Sequence, residues 1–427
     1  MEPHPIQVVV EDDLRRSRLT VFFRLLLAIP HLIWYILWSI GTFFVAVASW
    51  FVALISGRLP DGLHNFLSAY VRYSTHLFAY LCLAANPYPG FAGEPGSYPI
   101  DVVIAPPERQ NRWKTGFRIF LALPALLLAA VLVGSPGFGG GGGTGGQRGD
   151  EPSGASWSAV GLIFIIAFLA WFACLIRGVM PTGFRDLQAY ALRYNAQGQG
   201  YLLLLTDRYP NSDPSSPPAA LPPERPSVQI RIEDDLGRSR LTVFFRLLLF
   251  LPHLVWLLLW TIGAFFAVLV GWFAALATGR MPTGLHNFVA AYVRYATHVA
   301  AYVFLLANPF PGFTGEAGSY PVDLEIDPPE PQVRWKTFFR LFLAIPAFMV
   351  SGGLNGALVL VGLFGWFVSL ATGRMPEGLR NLGAFAQRYA AQTDAYFLLL
   401  TDRYPYSGPW EWAPTAEPEA EPEVAAA

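Results

Sequence analysis

The sequence predicts a mainly α-helical integral membrane protein made of four copies of one unit, and three observations support this. Of the 427 residues, 53% are hydrophobic and only 14% are charged, whereas soluble domains carry about a quarter of charged residues. The mean hydropathy is +0.39. Uncharged runs such as residues 25–55 recur along the chain, and residues 7–114 are nearly identical to residues 229–336.

The composition also excludes several classes of protein. The net charge of -1 does not suit a nucleic-acid binder, and we expect no secretory signal peptide because the N-terminus lacks a basic region. Cys82 and Cys174 lie in apolar runs and indicate neither a disulfide framework nor a zinc site. No GxSxG, HExxH or phosphate-loop motif is present. We therefore predict no enzyme activity, no cofactor and no metal.

The four units are arranged as two halves, each with an A unit followed by a B unit. A proline- and serine-rich linker at 211–227 separates the halves and is expected to be extended and unpacked, and the tail 406–427 is expected to be disordered. We predict pseudo-twofold symmetry between the halves. The first half is 1–210, with units at about 6–91 and 98–210, and the second is 228–405, with units at about 228–313 and 320–405.

Each unit begins with a short strand. VQIRIED places Val228, Ile230 and Ile232 on one face, and VDLEID repeats this alternation. Because a lone strand is not stable, we expect the four strands to pair into one small cytoplasmic sheet or two ribbons.

The uncharged run that follows is too long for one ordinary span of about 20 residues. In the first B unit it is broken by a glycine-rich insertion at 134–156, and in the second by SGGLNG at 351–356. We therefore predict a helical hairpin in each unit, with the first turn near Ser39–Gly41 and eight short membrane helices in all. A wedge that enters and leaves from one side is the alternative.

A Gly/Pro turn then leads into an amphipathic helix, Leu63–Ala85 in the first unit, which is expected to lie in the membrane interface. If the hairpins cross the bilayer, every lysine and arginine except Arg148 falls on one side. The positive-inside rule then predicts that this side, with the strands and both termini, is cytoplasmic.

Two rows of arginines recur at fixed positions in the four units. Each arginine either supports the structure at a helix entrance or binds the phosphate of an anionic lipid or ligand. A ridge of donors on the amphipathic helix, which includes four histidines, also suits anionic headgroups. The first row is Arg24, Arg118, Arg246 and Arg340, the second is Arg72, Arg193, Arg294 and Arg388, and the histidines are His64, His76, His286 and His298.

The repeated motifs SRLTVFFRLLLAIPHL (17–32), GRLPDGL (57–63), AYVRY (69–73) and TDRYP (206–210 and 401–405) resemble those of a bacterial membrane family, domain of unknown function 4389. The resemblance covers about 390 residues as tandem copies and implies a multi-pass protein of the bacterial inner membrane with no established activity. Some members carry a lipase label, but this sequence has no hydrolase nucleophile motif. The B units lack the histidine that follows the proline in the A units.

Our leading functional hypothesis is a non-enzymatic scaffold that organises anionic lipid or binds a protein partner on its cytoplasmic face. A transporter or channel is the alternative, and a lipid-modifying enzyme is the third. The expected partners are the lipid bilayer, anionic lipids above all, and a protein, but no nucleic acid.

Overall fold

The computed structural model describes residues 3–134, 161–215 and 226–409, which form ten helices and four strands. The helices and strands repeat in the order predicted for the units. In chain order they are β1 (Ile6–Val10), α1 (Arg18–Ser56), α2 (Asp61–Leu81), β2 (Ile100–Ile104), α3 (Arg112–Gly116), α4 (Arg118–Val133), α5 (Leu162–Arg177), α6 (Thr182–Leu202), β3 (Val228–Ile232), α7 (Arg240–Thr278), α8 (Thr283–Val303), β4 (Val322–Ile326), α9 (Arg334–Thr372) and α10 (Glu377–Phe397).

The long apolar runs form continuous helices and not hairpins. Each of α1, α7 and α9 has 39 residues and is long and apolar enough to cross a membrane. The turn predicted near Ser39–Gly41 is wrong, since the helix passes through it. A lone glycine such as Gly41 costs a helix only about 1 kcal/mol relative to alanine. The neighbouring Ser39 hydroxyl donates to the Tyr35 carbonyl of the same helix (2.6 Å), so the polar residues at this point do not interrupt it.

The interrupted run of the first B unit forms two helices, α4 and α5, that meet end to end. A Cβ on Gly161 would lie 2.1 Å from the backbone N of Gly134, so the two helix ends touch. Both helices pack on α9, where Gly356 faces Val131 of α4 and Gly353 faces Leu162 of α5. The predicted polar loop at 134–156 lies outside the described residues from 135 onward. A polar insertion in the middle of a straight apolar run gives the same sequence pattern as the turn of a helical hairpin. For this reason the hairpin prediction was wrong.

Four long rods thus form one layer in the order α1, α4–α5, α9, α7, and neighbours are antiparallel. In the first half Trp50 donates to the Thr115 carbonyl (2.8 Å) at one end of the pair. At the other end Arg18 donates to the Ile176 carbonyl (2.9 Å). In the second half Trp272 donates to the Thr337 carbonyl (3.0 Å). The edge helices α1 and α7 are less buried than the central α9.

The short helices α2, α6, α8 and α10 form a second layer, because each packs on the long helix of its own unit. The strands form a third layer of two antiparallel ribbons, β1–β2 and β3–β4, as one of the two predicted pairings. Strands are exchanged between units: β1 of the A unit packs on α6 of the B unit, and β2 packs on α2. The two units of a half are therefore interlocked.

Two further predictions are corrected by this layering. The short helices are not interfacial, because they lie between the long rods and the ribbons and are largely buried. The start of the linker is packed and not extended into solvent. Tyr190 donates to the Ser212 carbonyl (2.8 Å), and Asn381 of α10 donates to the Asp213 carboxylate (2.7 Å). Residues 216–225 and 410–427, which include most of the predicted tail, lie outside the described part of the chain.

Candidate functional site

The first row of arginines is buried and binds the C-terminal ends of the short helices. Arg24 is 2% exposed, and its guanidinium donates to the carbonyls of Tyr80 (2.6 Å) and Ala85 (2.9 Å). The same guanidinium lies over the Tyr80 ring, 4.4 Å from its centroid. The last carbonyls of a helix have no partner within the helix, so a buried donor here satisfies groups that would otherwise be costly. The equivalent contacts recur at Arg118, Arg246 and Arg340.

The B-unit members of this row also pair with a carboxylate. Arg118 is bonded to Asp207 and Arg340 to Asp402, each the aspartate of a TDRYP motif. Asn86 and Asn308 replace these acids in the A units. This geometry favours the structural interpretation of the first row over lipid contact, because the guanidiniums are already engaged inside the protein.

The second row of arginines and the polar ridge hold the chain segments that cover the short helices. Arg72 donates to the carbonyls of Val102 on β2 (3.0 Å) and Gly93 (3.2 Å). Arg294 makes the matching bonds in the second half. The ridge residues Gln197 and Gln392 donate to the carbonyls of Ile6 on β1 (3.0 Å) and Val228 on β3 (2.9 Å). The remaining members of the row, Arg193 and Arg388, donate to the carbonyls of Asp213 and Gly408.

A buried histidine–aspartate pair occupies the equivalent ridge position in each A unit. His76 Nε2 lies 2.7 Å from Asp101 Oδ1, and His298 Nε2 lies 2.6 Å from Asp323 Oδ1. Burial alone would raise the pKa of Asp101. Hydrogen bonds from the His76 ring and from the N–H groups of Gly96 and Val102 outweigh it and lower that pKa. No serine, threonine or cysteine hydroxyl or thiol of the described residues is hydrogen-bonded to either ring, so the pair lacks the third member of a hydrolase triad.

The other predicted histidines are also buried. His64 is 4% exposed and lies 3.5 Å from the Ser68 hydroxyl, and His286 is 3% exposed. Burial lowers the pKa of both rings. Within residues 3–134, 161–215 and 226–409, no group of three or more His, Cys, Asp or Glu side chains is placed to hold a metal ion.

Two large cavities lie at equivalent positions in the two B units. The first-half cavity has a volume of ≈ 1240 Å³ and the second-half cavity ≈ 970 Å³. Each combines an apolar wall from the long helix with charged and aromatic residues of the TDRYP segment. The equivalent lining pairs include Lys114 and Lys336, Leu121 and Leu343, Asp207 and Asp402, Arg208 and Arg403, and Tyr209 and Tyr404.

The A units carry larger aromatic side chains at two positions near the equivalent region. Trp34 stands where the B units have Leu128 and Val350, and it donates to the Phe91 carbonyl (2.9 Å). The Phe91 ring stacks on His31 with a centroid distance of 4.1 Å, and the second A unit repeats this contact. In the first B unit the smaller equivalents, Leu128 and Ser212, line the cavity.

Sequence reasoning missed the residues that distinguish these cavities. The chain has 27 arginines but only two lysines, and Lys114 and Lys336 each line one cavity. The A units carry Thr20 and Thr242 at the same positions. The occurrence of lysine only at these two equivalent positions of the B units is the feature of the sequence that could have identified the cavities.

Comparison with known proteins bears on the whole chain. No curated protein and no solved structure matches it. One family model, described as Domain of unknown function (DUF4389), matches residues 18–92, 154–212, 240–314 and 334–408, one segment in each unit. Because these segments cover about two-thirds of the chain, the protein belongs to this family, as a tandem array of four copies.

Proposed function

We propose that the protein is a non-enzymatic scaffold of the bacterial cell membrane whose layer of long helices lies in the membrane plane, embedded from the cytoplasmic side. The observation that carries this proposal is an apolar surface that continues from one end of the layer to the other. On α1, Leu19 is 69% exposed, Ile40 54% and Ile55 77%. On α7, Leu241 is 69% exposed and Phe273 61%. Such a surface is stable only in contact with lipid or protein.

The length of the helices argues against a perpendicular crossing. At about 1.5 Å per residue, 39 residues extend about 58 Å, nearly twice the ~30 Å thickness of the hydrocarbon core. A straight helix would need a tilt of about 60° to bury both ends, whereas membrane helices tilt by about 0–40°. A helix that lies in the plane keeps Leu19 and Ile55 at the same depth.

The distribution of arginines supports the same placement. Since α4–α5 and α9 are antiparallel copies, a crossing layer would put equivalent basic ends on opposite sides of the membrane. The orientation predicted from hairpins loses its basis for the same reason. In the planar arrangement all basic ends lie on one side, as the positive-inside rule favours. The exposed arginines at helix ends, and not the two buried rows, then contact anionic headgroups: Arg18, Arg58, Arg112, Arg240, Arg280 and Arg334.

The planar placement can be tested by measuring the depth of spin labels in liposomes. Cysteines would replace Leu19, Ile40 and Ile55 one at a time, since Cys82 and Cys174 are buried and free. We expect similar depths for all three labels, within one leaflet. A label at position 40 near the bilayer centre, with labels at 19 and 55 near opposite surfaces, would show that α1 spans the membrane and contradict the proposal. Ion or solute flux through the purified protein would contradict the scaffold role.

A further inference from the structure

We infer that each B unit binds one anionic phospholipid, with its phosphate at Lys336 in the second half and Lys114 in the first, and its acyl chains along the long helix. This inference extends the proposed function, because the cavities must open toward lipid for the chains to enter them. The two cavities described above are its structural basis.

The polar end of each cavity carries a lysine that the protein does not neutralise. In the second half Lys336 lines the cavity with Arg177, Arg403 and Asp402, and Arg403 pairs with Glu330 (3.5 Å). The Asp402 carboxylate is already bonded to Arg340 and accepts from the Val333 N–H (2.9 Å). Among the described residues, the ammonium group of Lys336 makes no hydrogen bond or ion pair, and neither does that of Lys114. A phosphate is the anion that these cations would bind in contact with a membrane.

The apolar end of each cavity suits hydrocarbon. In the first half Leu121 and Leu128 of α4 face Phe364 and Phe367 of α9 across the cavity. Leu121 is 44% exposed and Phe367 58% exposed, so this wall continues into the apolar surface of the layer. A ligand that meets both ends must have a charged head and an apolar tail, which excludes a small soluble anion as the best fit.

The internal duplication provides an independent argument for a binding role. The cavity occurs twice at the same position, with the same lysine, whereas the A units carry a threonine at that position. The two sites are not equal in charge. The first-half cavity is also lined by Asp213 and Glu377, so we expect the Lys336 site to bind the anionic lipid more tightly.

The test is native mass spectrometry of the purified full chain after delipidation and titration with phosphatidylglycerol. We expect two bound lipids per chain. Lys336→Gln should weaken the tighter step about fivefold, and Lys114→Gln should weaken the other step. Lys336→Arg should retain binding. Arg15→Gln, which removes an exposed charge outside both cavities and outside the set of arginines proposed to contact headgroups, is the matched control and should have no effect.

Three results would overturn the inference. The first is unchanged lipid binding in a folded double variant Lys114→Gln/Lys336→Gln, with folding checked by its melting temperature. The second is equal binding of phosphatidylcholine, which would show that the charge of the headgroup is irrelevant. The third is full competition by glycerol phosphate, which would indicate a soluble phosphoester site. None of these results depends on the depth of α1, so the inference and the planar placement fail separately.

Discussion

Asp394 on α10 is a carboxylate without a partner in the described part of the chain, and its replacement gives a quantitative test of the structure. In the first half the equivalent residue is Gln199, which accepts a hydrogen bond from the Ser74 hydroxyl (3.1 Å). In the second half Ala296 replaces that serine. No hydrogen bond or ion pair to the Asp394 side chain is present among the described residues, and burial raises its pKa from 3.8 to about 7. We predict that Asp394→Gln stabilises the protein above pH 7.

The size and the sign of the expected change in stability follow from this shift in pKa. About three pKa units correspond to about 4 kcal/mol, which is an upper limit because the Asp394 side chain keeps some exposure to water. Below pH 4 the carboxyl is neutral in the folded and unfolded states, and its ionisation costs nothing. Between pH 4 and 7 only the unfolded state ionises, so the wild-type protein loses stability as the pH rises. Above pH 7 the loss is complete and constant.

The measurement is thermal unfolding in detergent, followed by tryptophan fluorescence from pH 4.5 to 8. For a chain of this size we expect Asp394→Gln to raise the melting temperature by up to about 4–5 °C at pH 8, and by much less at pH 4.5. Ala296→Ser restores the hydroxyl donor. In the otherwise wild-type protein, with Asp394 kept, it should give part of the same rise in melting temperature. A gain that is the same at both pH values, or a loss at pH 8, would show that the ionised carboxylate is not destabilising.

Three further predictions concern the contacts of the short helices. Gly93→Ala should lower the free energy of unfolding by at least about 2 kcal/mol, because φ is +62° there and a Cβ would lie 2.2 Å from the Ala69 carbonyl oxygen. The control is Gly90→Ala, where a Cβ would meet nothing within 4 Å. It should leave the melting temperature unchanged in the same assay. Asp101→Asn should cost about 1–3 kcal/mol at pH 7. The cost should shrink only as the pH falls through the lowered pKa of the folded wild-type carboxyl, because the wild-type side chain is then also neutral. A deficit that persists below that pKa would contradict the hydrogen-bonding role. Arg246→Met should lower the free energy of unfolding by about 2–5 kcal/mol, because it leaves the carbonyls of Tyr302 and Ala307 without their donor. A loss no greater than that of the exposed Arg280→Met would refute the capping role.

The features that could be predicted from the sequence are those set by local pattern. Period-two alternation located β3 and β4, and their pairing into ribbons follows because a lone strand cannot satisfy its backbone. The repeated positions of Arg24 and Arg72 identified residues with specific partners. Their partners could not be predicted, since the Tyr80 and Val102 carbonyls reach them only through the stacking of helices and the exchange of strands.

The hairpins and interfacial helices failed for a different reason. Hydropathy measures how apolar a segment is and not whether it turns, so residues 25–55 were divided only because they exceed one span. The polar ridge of α2 appeared to face solvent because the sequence does not show that β2 covers it. In both cases the sequence does not show which segments pack against each other. A polar stripe on an amphipathic helix can face water or the backbone of a buried strand, and polar side chains suit either environment.

The difference between A and B units shows how the duplicated fold separates stability from binding. All four units keep the buried arginine that caps the short helix, so this contact is required wherever the unit folds. Only the B units place a lysine beside a cavity, and the A units have Thr20 and Thr242 at those positions. A cavity of ≈ 970 Å³ forgoes the packing energy that a filled interior would supply. That loss of packing energy in both B units, next to the only two lysines of the chain, is the physical reason to infer that the cavities bind a ligand.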